Sequence, residues 1–445
     1  MTLLIPSHQA TWGDYDRDGW VDLLIANTAE DRANILYHNN GDGTFSDVTF
    51  AAGISGPAYT RAAIWGDYNN DSWPDIYVHD IQESVLYTNS YGGLFWHANQ
   101  PSALDGFNDG LACAWRDIDN NGFLDLTLGA RDASMRLLIN QNGLFDLDHS
   151  FFPGTIPRNN RGSTYFDIDN DGYPDLYSKE HYGKEYLFKI SSGTRFIDIT
   201  DEAGFTSGSN GGNAVCADMD NNGDMDLVAA QFDPHRLFYY ENVLEVINPS
   251  SHWLDVELTG TQSNRSGIGT RVIVFAGGSL QMQEKTCSES GITQSTPRLH
   301  FGLKDYTNVD SLILYWPSGI RQKVGATGAN QIVTILEDGP NVGVEYSRNQ
   351  NSSPEAFTLR NFPNPFNPTT RIKYTLPSKS YVSLKIFNLK GELKRTLVEG
   401  EVGPGDQSVQ WDGSDESGRM VPAGIYLCQL KSESSIKSIR MLFLK

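Results

Sequence analysis

The stretch Phe166–Leu176, FDIDNDGYPDL, sets four aspartates (Asp167, Asp169, Asp171 and Asp175) in front of a short apolar run. Carboxylates packed this closely repel one another, so the segment calls for a compensating charge. Reading outward, the pattern occurs five times: GDYDRDGWVDLLIAN from Gly13, GDYNNDSWPDIYVHD from Gly66, RDIDNNGFLDLTLGA from Arg116, FDIDNDGYPDLYSKE from Phe166 and ADMDNNGDMDLVAAQ from Ala217. The first aspartates are spaced by 53, 50, 50 and 51 residues. So constant a period means one supersecondary unit per repeat.

The rest of each unit repeats as well. An apolar run such as AAIW or LACAW precedes the loop, and an alternating run such as DLLIAN or DLTLGA follows it. Then come two short apolar segments around a polar turn, as in NILYHNNGDGTF and MRLLINQNGLF. Period-2 patterns split by Gly and Asn turns are hairpins. The fold class predicted is all-β, with about four strands per repeat, the dimensions of a β-propeller blade. A β-solenoid with longer coils is the alternative. Few residues precede the first loop, so the array is expected to start partway into a repeat. It then either belongs to a longer array, the favoured expectation, or closes by pairing its two ends.

The loop consensus is D-x-[DN]-x-[DN]-G-x-x-D. Side chains at positions 1, 3 and 5 converge on one point if the chain turns sharply at position 6. The carbonyl at position 7 and the carboxylate at position 9 then complete an oxygen shell for a hard cation such as calcium. The logic is that of an EF-hand loop, without flanking helices and with the last ligand at position 9 rather than 12. The candidate ligands are Asp14, Asp16, Asp18, Trp20 and Asp22 in loop 1, and Asp67, Asn69, Asp71, Trp73 and Asp75 in loop 2. Loop 3 offers Asp117, Asp119, Asn121, Phe123 and Asp125; loop 4 offers Asp167, Asp169, Asp171, Tyr173 and Asp175. Loop 5 offers Asp218, Asp220, Asn222, Asp224 and Asp226. Ser72 replaces the turn glycine in loop 2, which is expected to be the weakest site. Ordinary Asp/Asn/Gly turns would explain one loop, but not five in phase. Magnesium fits less well, because it demands octahedral geometry and keeps waters. About five structural Ca2+ ions are therefore expected, each pinning a hairpin.

These loops resemble the FG-GAP/VCBS repeats of integrin-α-like β-propellers, in which such loops bind calcium. The resemblance covers residues 1–248. Propellers of that family have seven or eight blades, so five loops leave closure open.

Composition shifts after Asn248. Residues 249–338 alternate strands with Gly, Pro and Asn turns, which indicates a small all-β domain. The stretches NRSGIGTRV, PRLHFGL and LYWPSG resemble the ASPIC/UnbV domain, which follows calcium-propeller repeats in cartilage acidic protein and in bacterial extracellular proteins. Gly267 and Gly269 read as a turn, since no third glycine or helix pattern follows. His300 sits in a strand pattern as a packed side chain. Residues 339–356 are polar and read as a linker.

Residues 357–445 hold strand pairs around NLKG and turns at WDG and SGR, an Ig-like β-sandwich pattern with Trp411 in its core. Asn364-Pro365-Phe366-Asn367, VSLKIFNLKGELKRTL, Trp411-Asp412-Gly413 and Ala423-Gly424-Ile425-Tyr426 resemble the type A C-terminal sorting domain of the type IX secretion system. That resemblance implies the type IX secretion machinery as a partner, a Bacteroidetes-type bacterium, and a secreted or outer-surface protein. A plain Ig-like adhesion module is the alternative.

Formal net charge is −21, which argues against a nucleic-acid partner. Residues 1–356 hold 47 acidic and 21 basic side chains, and 17 of the acids are Asp loop ligands at positions 1, 3, 5 and 9. Much of the negative charge is thus ligand charge. No apolar run approaches the roughly 20 residues of a membrane span. No signal peptide is visible at Met1. Cys113, Cys216, Cys287 and Cys428 lie far apart without a CxxC pair, and read as free thiols. Neither GxSxG nor HExxH occurs. The expectation is a non-enzymatic, calcium-stabilised extracellular protein that binds a glycan or protein ligand. A secreted polysaccharide lyase or hydrolase on a propeller scaffold is the alternative.

Overall fold

The computed structural model describes residues 7–337 and 358–443, apart from 29–32, 55–58, 82–83, 91, 99–109, 131–132, 149, 153–156, 182, 191, 206–209, 234, 245–247, 249, 289–292, 295, 363–365, 377, 389–391 and 433–435. The expected linker, and Asn364 and Pro365 of the Asn364–Asn367 motif, lie outside the described residues.

Each repeat folds as an antiparallel meander. Sheet 1 is β1 (Ser7–Gly13), β2 (Asp22–Asn27), β3 (Ile35–Asn39) and β4 (Phe45–Asp47), in that spatial order. Sheet 2 is β5 (Thr60–Gly66), β6 (Asp75–Asp80), β7 (Val85–Ser90) and β8 (Leu94–His97). Sheet 3 is β9 (Gly110–Arg116), β10 (Asp125–Ala130), β11 (Arg136–Gln141) and β12 (Leu144–Leu147). Sheet 4 is β13 (Asn160–Phe166), β14 (Asp175–Glu180), β15 (Glu185–Ile190) and β16 (Phe196–Asp198). Sheet 5 has three described strands, β17 (Asn210–Ala217), β18 (Asp226–Asp233) and β19 (His235–Tyr240). Four-stranded antiparallel sheets exclude the solenoid. Sheet 1 comprises four strands, like sheets 2 to 4.

The sheets stack through their first strands, β1 on β5, β5 on β9, β9 on β13 and β13 on β17. Apolar clusters therefore form between sheets rather than within them. Leu24, Leu36, Trp65 and Ile76 join sheets 1 and 2, and Ile64, Tyr77, Trp115 and Leu126 join sheets 2 and 3. Ile139, Tyr165 and Phe188 join sheets 3 and 4, and Tyr177, Cys216 and Leu227 join sheets 4 and 5. A single blade buries too little apolar surface to stand alone. The five sheets form an open array among the described residues, without the end pairing considered above.

The middle segment builds two sheets around its own core. One comprises Leu299–Lys304, His252–Thr259 and Gln331–Leu336; the other comprises Ser279–Glu284, Arg271–Ala276, Ser311–Tyr315 and Arg321–Val324. Leu254, Val272, Phe301, Leu314 and Trp316 fill the space between them. Residues 1–347 form one compact unit, so this segment packs with the repeats.

The second compact unit starts at Arg348. It is a sandwich of Thr358–Phe362, Thr370–Leu376 and Gly405–Trp411 over Leu393–Val402, Ser380–Asn388, Gly424–Lys431 and Ile436–Phe443. Trp411 is buried with Phe366, Tyr426 and Phe443, as the sequence implied. All four cysteines are free; Cys287 is half-buried and the others are buried.

Candidate metal centres

All five acidic loops are the β1–β2-type turns, and each position-9 aspartate is the first residue of a second strand. The same pair of hydrogen bonds shapes loops 2 to 5. In loop 3 the Asp117 carboxylate accepts from the backbone N–H groups of Asn121 at 3.0 Å and Gly122 at 2.9 Å. Loops 2, 4 and 5 repeat this pair through Asp67, Asp167 and Asp218. Position 5 accepts from the position-7 N–H, as Asp18 does from Trp20 at 2.8 Å and Asn222 from Asp224 at 2.7 Å. In loops 2 to 5 the backbone is thus folded around the position-1 carboxylate.

Position 9 carries a second duty. Asp125 Oδ2 accepts from the Ile118 N–H at 2.8 Å and Oδ1 from the Asn140 N–H at 2.7 Å. Asp22, Asp175 and Asp226 make the same two bonds. These aspartates staple the loop to the third strand, whether or not an ion is bound.

Single ligand oxygens from Asp14, Asp16 and Asp18, from Asp117, Asp119 and Asp125, and from Asp167, Asp169 and Asp175 converge to within 4.8 Å of one another. Loops 2 and 5 show no such triad among the described residues. In loop 2, Asn69 instead donates to Asp71 at 3.1 Å. Buried oxygens of Asp14 (Oδ1) and Asp169 (Oδ1) accept no hydrogen bond. Burial, followed by repulsion among the carboxylates, holds protons on the loops. It pushes Asp14 and Asp218 up to about 6, Asp117 up to about 7 and Asp22 up to about 8. Asp167 rises to about 6 and Asp171 to about 7, again mainly by burial. Desolvated carboxylates with unmatched oxygens form a donor set that suits a hard cation, so the residues present fit a metal ion.

Three features escaped the sequence reading. First, position 4 is left-handed in every loop: φ is 61° at Arg17, 60° at Asn70, 58° at Asn120, 57° at Asn170 and 59° at Asn221. Asparagine tolerates this conformation, and its recurrence there was the available signal. Second, a basic side chain from the third strand enters two of the loops. Lys189 Nζ pairs with Asp169 in loop 4, and His38 Nδ1 lies 3.3 Å from both Asp16 and Asp22 in loop 1. Both residues immediately precede the third-strand residue stapled by position 9. The corresponding residues in loops 2, 3 and 5 are Thr88, Ile139 and Glu241. The two loops with four aspartates are the two with a built-in base.

Third, the middle segment covers the loops. Asn264 approaches Asp14 at 3.4 Å, and Arg271 Nη1 lies 3.8 Å from Asp67. Glu284 accepts from the Asp67 N–H at 3.0 Å, and burial pushes its carboxyl up to about 8. Lys304 N–H donates to the Asn170 carbonyl at 2.7 Å. Gly302 is pressed against loop 4, where an added Cβ would lie 2.0 Å from Asp167 Oδ2. His300, read as a packed side chain, is buried in a polar network with Asp255 and Asn170. The clefts left between loops 3 and 4 and the middle segment have room for about one water each.

Comparison with known proteins matches three families to successive parts of the chain. Residues 14–78, 117–178 and 167–229 match the FG-GAP-like repeat family, 260–342 match ASPIC and UnbV, and 366–435 match the FlgD Ig-like domain. The chain thus carries FG-GAP-like repeats and an ASPIC/UnbV domain. Human cartilage acidic protein 1 is 24% identical over 319 residues, covering 69% of this chain. The chain spans 41% of that protein's length. Among solved structures, an Agrocybe aegerita lectin that recognises non-reducing terminal N-acetylglucosamine is 14% identical with a TM-score of 0.38, covering 67% of this chain and 86% of the lectin. PorZ, a surface component of the type IX secretion system of Porphyromonas gingivalis, is 14% identical with a TM-score of 0.35, covering 100% and 61%. Both scores lie below 0.5 and identify no shared overall fold. No helix among the described residues is long and apolar enough to cross a membrane.

Proposed function

We propose that this chain is a calcium-stabilised extracellular binding protein whose loops hold structural Ca2+ and whose blades present the ligand surface. The convergence of loop carboxylates onto single points, with buried oxygens left unmatched, carries the reading. Asp14, Asp16, Asp18 and Asp22, and their counterparts in the other loops, would hold the ion. The position-7 carbonyls of Trp20, Trp73, Phe123, Tyr173 and Asp224 would complete the shell. Bound calcium supplies positive charge and rigidity rather than a reacting centre.

The ligand is a glycan or a protein, bound without chemical turnover. Exposed aromatic side chains of the first two sheets support this: Trp12 and Phe45 have ring centroids 6.1 Å apart, and both are exposed, as is Trp96. Flat aromatic faces of this kind suit sugar rings and apolar side chains. The resemblance of the C-terminal unit to a type A sorting domain supports export by the type IX secretion machinery of a Bacteroidetes-type bacterium, to the outer surface or the medium.

A glycan array read beside a polysaccharide digestion assay, each with calcium and with EDTA, tests the reading. Saturable binding without product release is expected. Depolymerisation of any polysaccharide would instead establish the lyase or hydrolase alternative.

A further inference from the structure

The five position-4 residues form a linked row across the loops. Asn70 Nδ2 donates to the Gly122 carbonyl of loop 3, Asn120 Nδ2 to the Gly172 carbonyl of loop 4 and Asn170 Nδ2 to the Gly223 carbonyl of loop 5, each at 2.9 Å. In loop 1 the Arg17 guanidinium lies 4.8 Å above the Trp73 ring of loop 2. Each of the first four apices thus reaches into the next loop at position 6 or 7, where that loop turns.

The other end of the row belongs to the middle segment. Arg271 Nη1 donates to Asn70 Oδ1, and Arg298 Nη1 donates to Asn221 Oδ1 at 2.7 Å. His300 Nε2 lies 2.7 Å from Asn170 Oδ1. Because the Asn170 amide nitrogen is already committed to Gly223, its oxygen accepts and the imidazole donates. Arg17 Nε donates to the Pro317 carbonyl. No hydrogen bond from the middle segment reaches Asn120 among the described residues. Four of the five apices are therefore tied to one folded domain.

We infer that the middle segment is a clamp on the loop face, with Arg271, His300 and Arg298 acting as positioning residues that fix the loop apices and thereby aim the ligands at positions 3 and 5. This function rests on the metal reading above and gives the ASPIC/UnbV-type segment a task within its own chain. Position 4 lies between two ligand positions. A left-handed residue there is restrained only if its side chain is anchored, and unanchored apices let positions 3 and 5 drift. Fixing them before the ion arrives removes ordering cost from binding.

The test is calcium titration calorimetry on the full chain after chelation, with circular dichroism confirming the fold. Arg271→Met and Arg298→Met should each weaken one calcium equivalent by on the order of tenfold, the loss usual for an outer partner of a metal ligand, and leave the others unchanged. Arg271→Lys should restore part of the loss. Asn70→Gly keeps the left-handed backbone and deletes both side-chain links, so it should reproduce the Arg271→Met effect even if that variant folds poorly. Unchanged isotherms in folded Asn70→Gly and Arg298→Met would overturn the clamp while leaving the metal reading intact. A wild-type chain that takes up no calcium would overturn both.

Discussion

His300 lies 2.7 Å from Asp255 on one ring nitrogen and 2.7 Å from Asn170 on the other, so one imidazole joins the middle segment to the apex of loop 4. Both partners accept, which requires both ring nitrogens to carry hydrogen. Burial opposes the charge, but the Asp255 bond and the charges of Asp255, Asp167 and Asp218 more than offset it and raise the His300 pKa. The surroundings thus favour the imidazolium form at the rim of the loop face.

Removing the metal should lower stability. At a roughly tenfold excess of calcium over Kd, each occupied site contributes about 1.4 kcal/mol. Thermal melting with calcium and with EDTA reads the difference. Asp167→Ala combined with Asp169→Ala should lower the calcium-dependent part and leave the melting of the C-terminal unit where it was. A melting temperature indifferent to EDTA would refute structural calcium.

The pH dependence of the metal-free protein has a defined sign. Asp14, Asp117, Asp22 and Glu284 have folded pKa values of about 6, 7, 8 and 8, above their unfolded values. A raised acid binds protons more tightly when folded, so its contribution is complete below the unfolded pKa and is lost as pH rises through the folded one. EDTA-treated protein should therefore lose stability between about pH 5 and pH 8. Calcium competes with the same protons, so the stabilisation it adds should grow over that window. Melting curves across pH with and without calcium check both slopes.

Lys189 occupies space and charge that an ion in loop 4 would use. Lys189→Met should strengthen calcium binding by that loop several-fold and lower the stability of the metal-free protein, where Asp169 loses its partner. Calorimetry and melting in EDTA read the two effects separately. A weaker calcium site in the variant would count against competition.

Ser72 adopts φ 73° where the other loops place glycine. A side chain there costs roughly 1 kcal/mol, so Ser72→Gly should stabilise the protein by about 0.5–1 kcal/mol. Denaturant melts measure it. No gain would mean that the serine side chain has an offsetting contact.

Gly302→Ala should destabilise the first unit by about 1–3 kcal/mol, because the new methyl meets the backbone of Asn170 as well as the Asp167 carboxylate. The readout is the melting of residues 1–347 by hydrogen exchange, with the second unit as reference. Unchanged exchange across Leu299–Lys304 would show that the close approach is dispensable.

The loops were legible because their candidate ligands lie within nine residues of one another and recur at a fixed period. Asp125, for instance, reveals both its strand start and its candidacy as a ligand from spacing alone. Its second duty, holding the Asn140 backbone, was not legible, since that bond depends on how β10 and β11 pair. The same holds for His38 and Lys189: their neighbours identify them as strand residues, and only the strand register turns them toward the aspartates.

The sequence by itself determined the repeat and the strand alternation, and it marked the candidate donors of each loop, because these arise from contacts between near neighbours along the backbone. Tertiary structure alone decided that the middle segment closes over the loops. Arg271 reaches Asn70 and His300 reaches Asn170 across 201 and 130 residues. Those contacts come from segments with no shared period, and packing of separately folded sheets, rather than local pattern, brings them together.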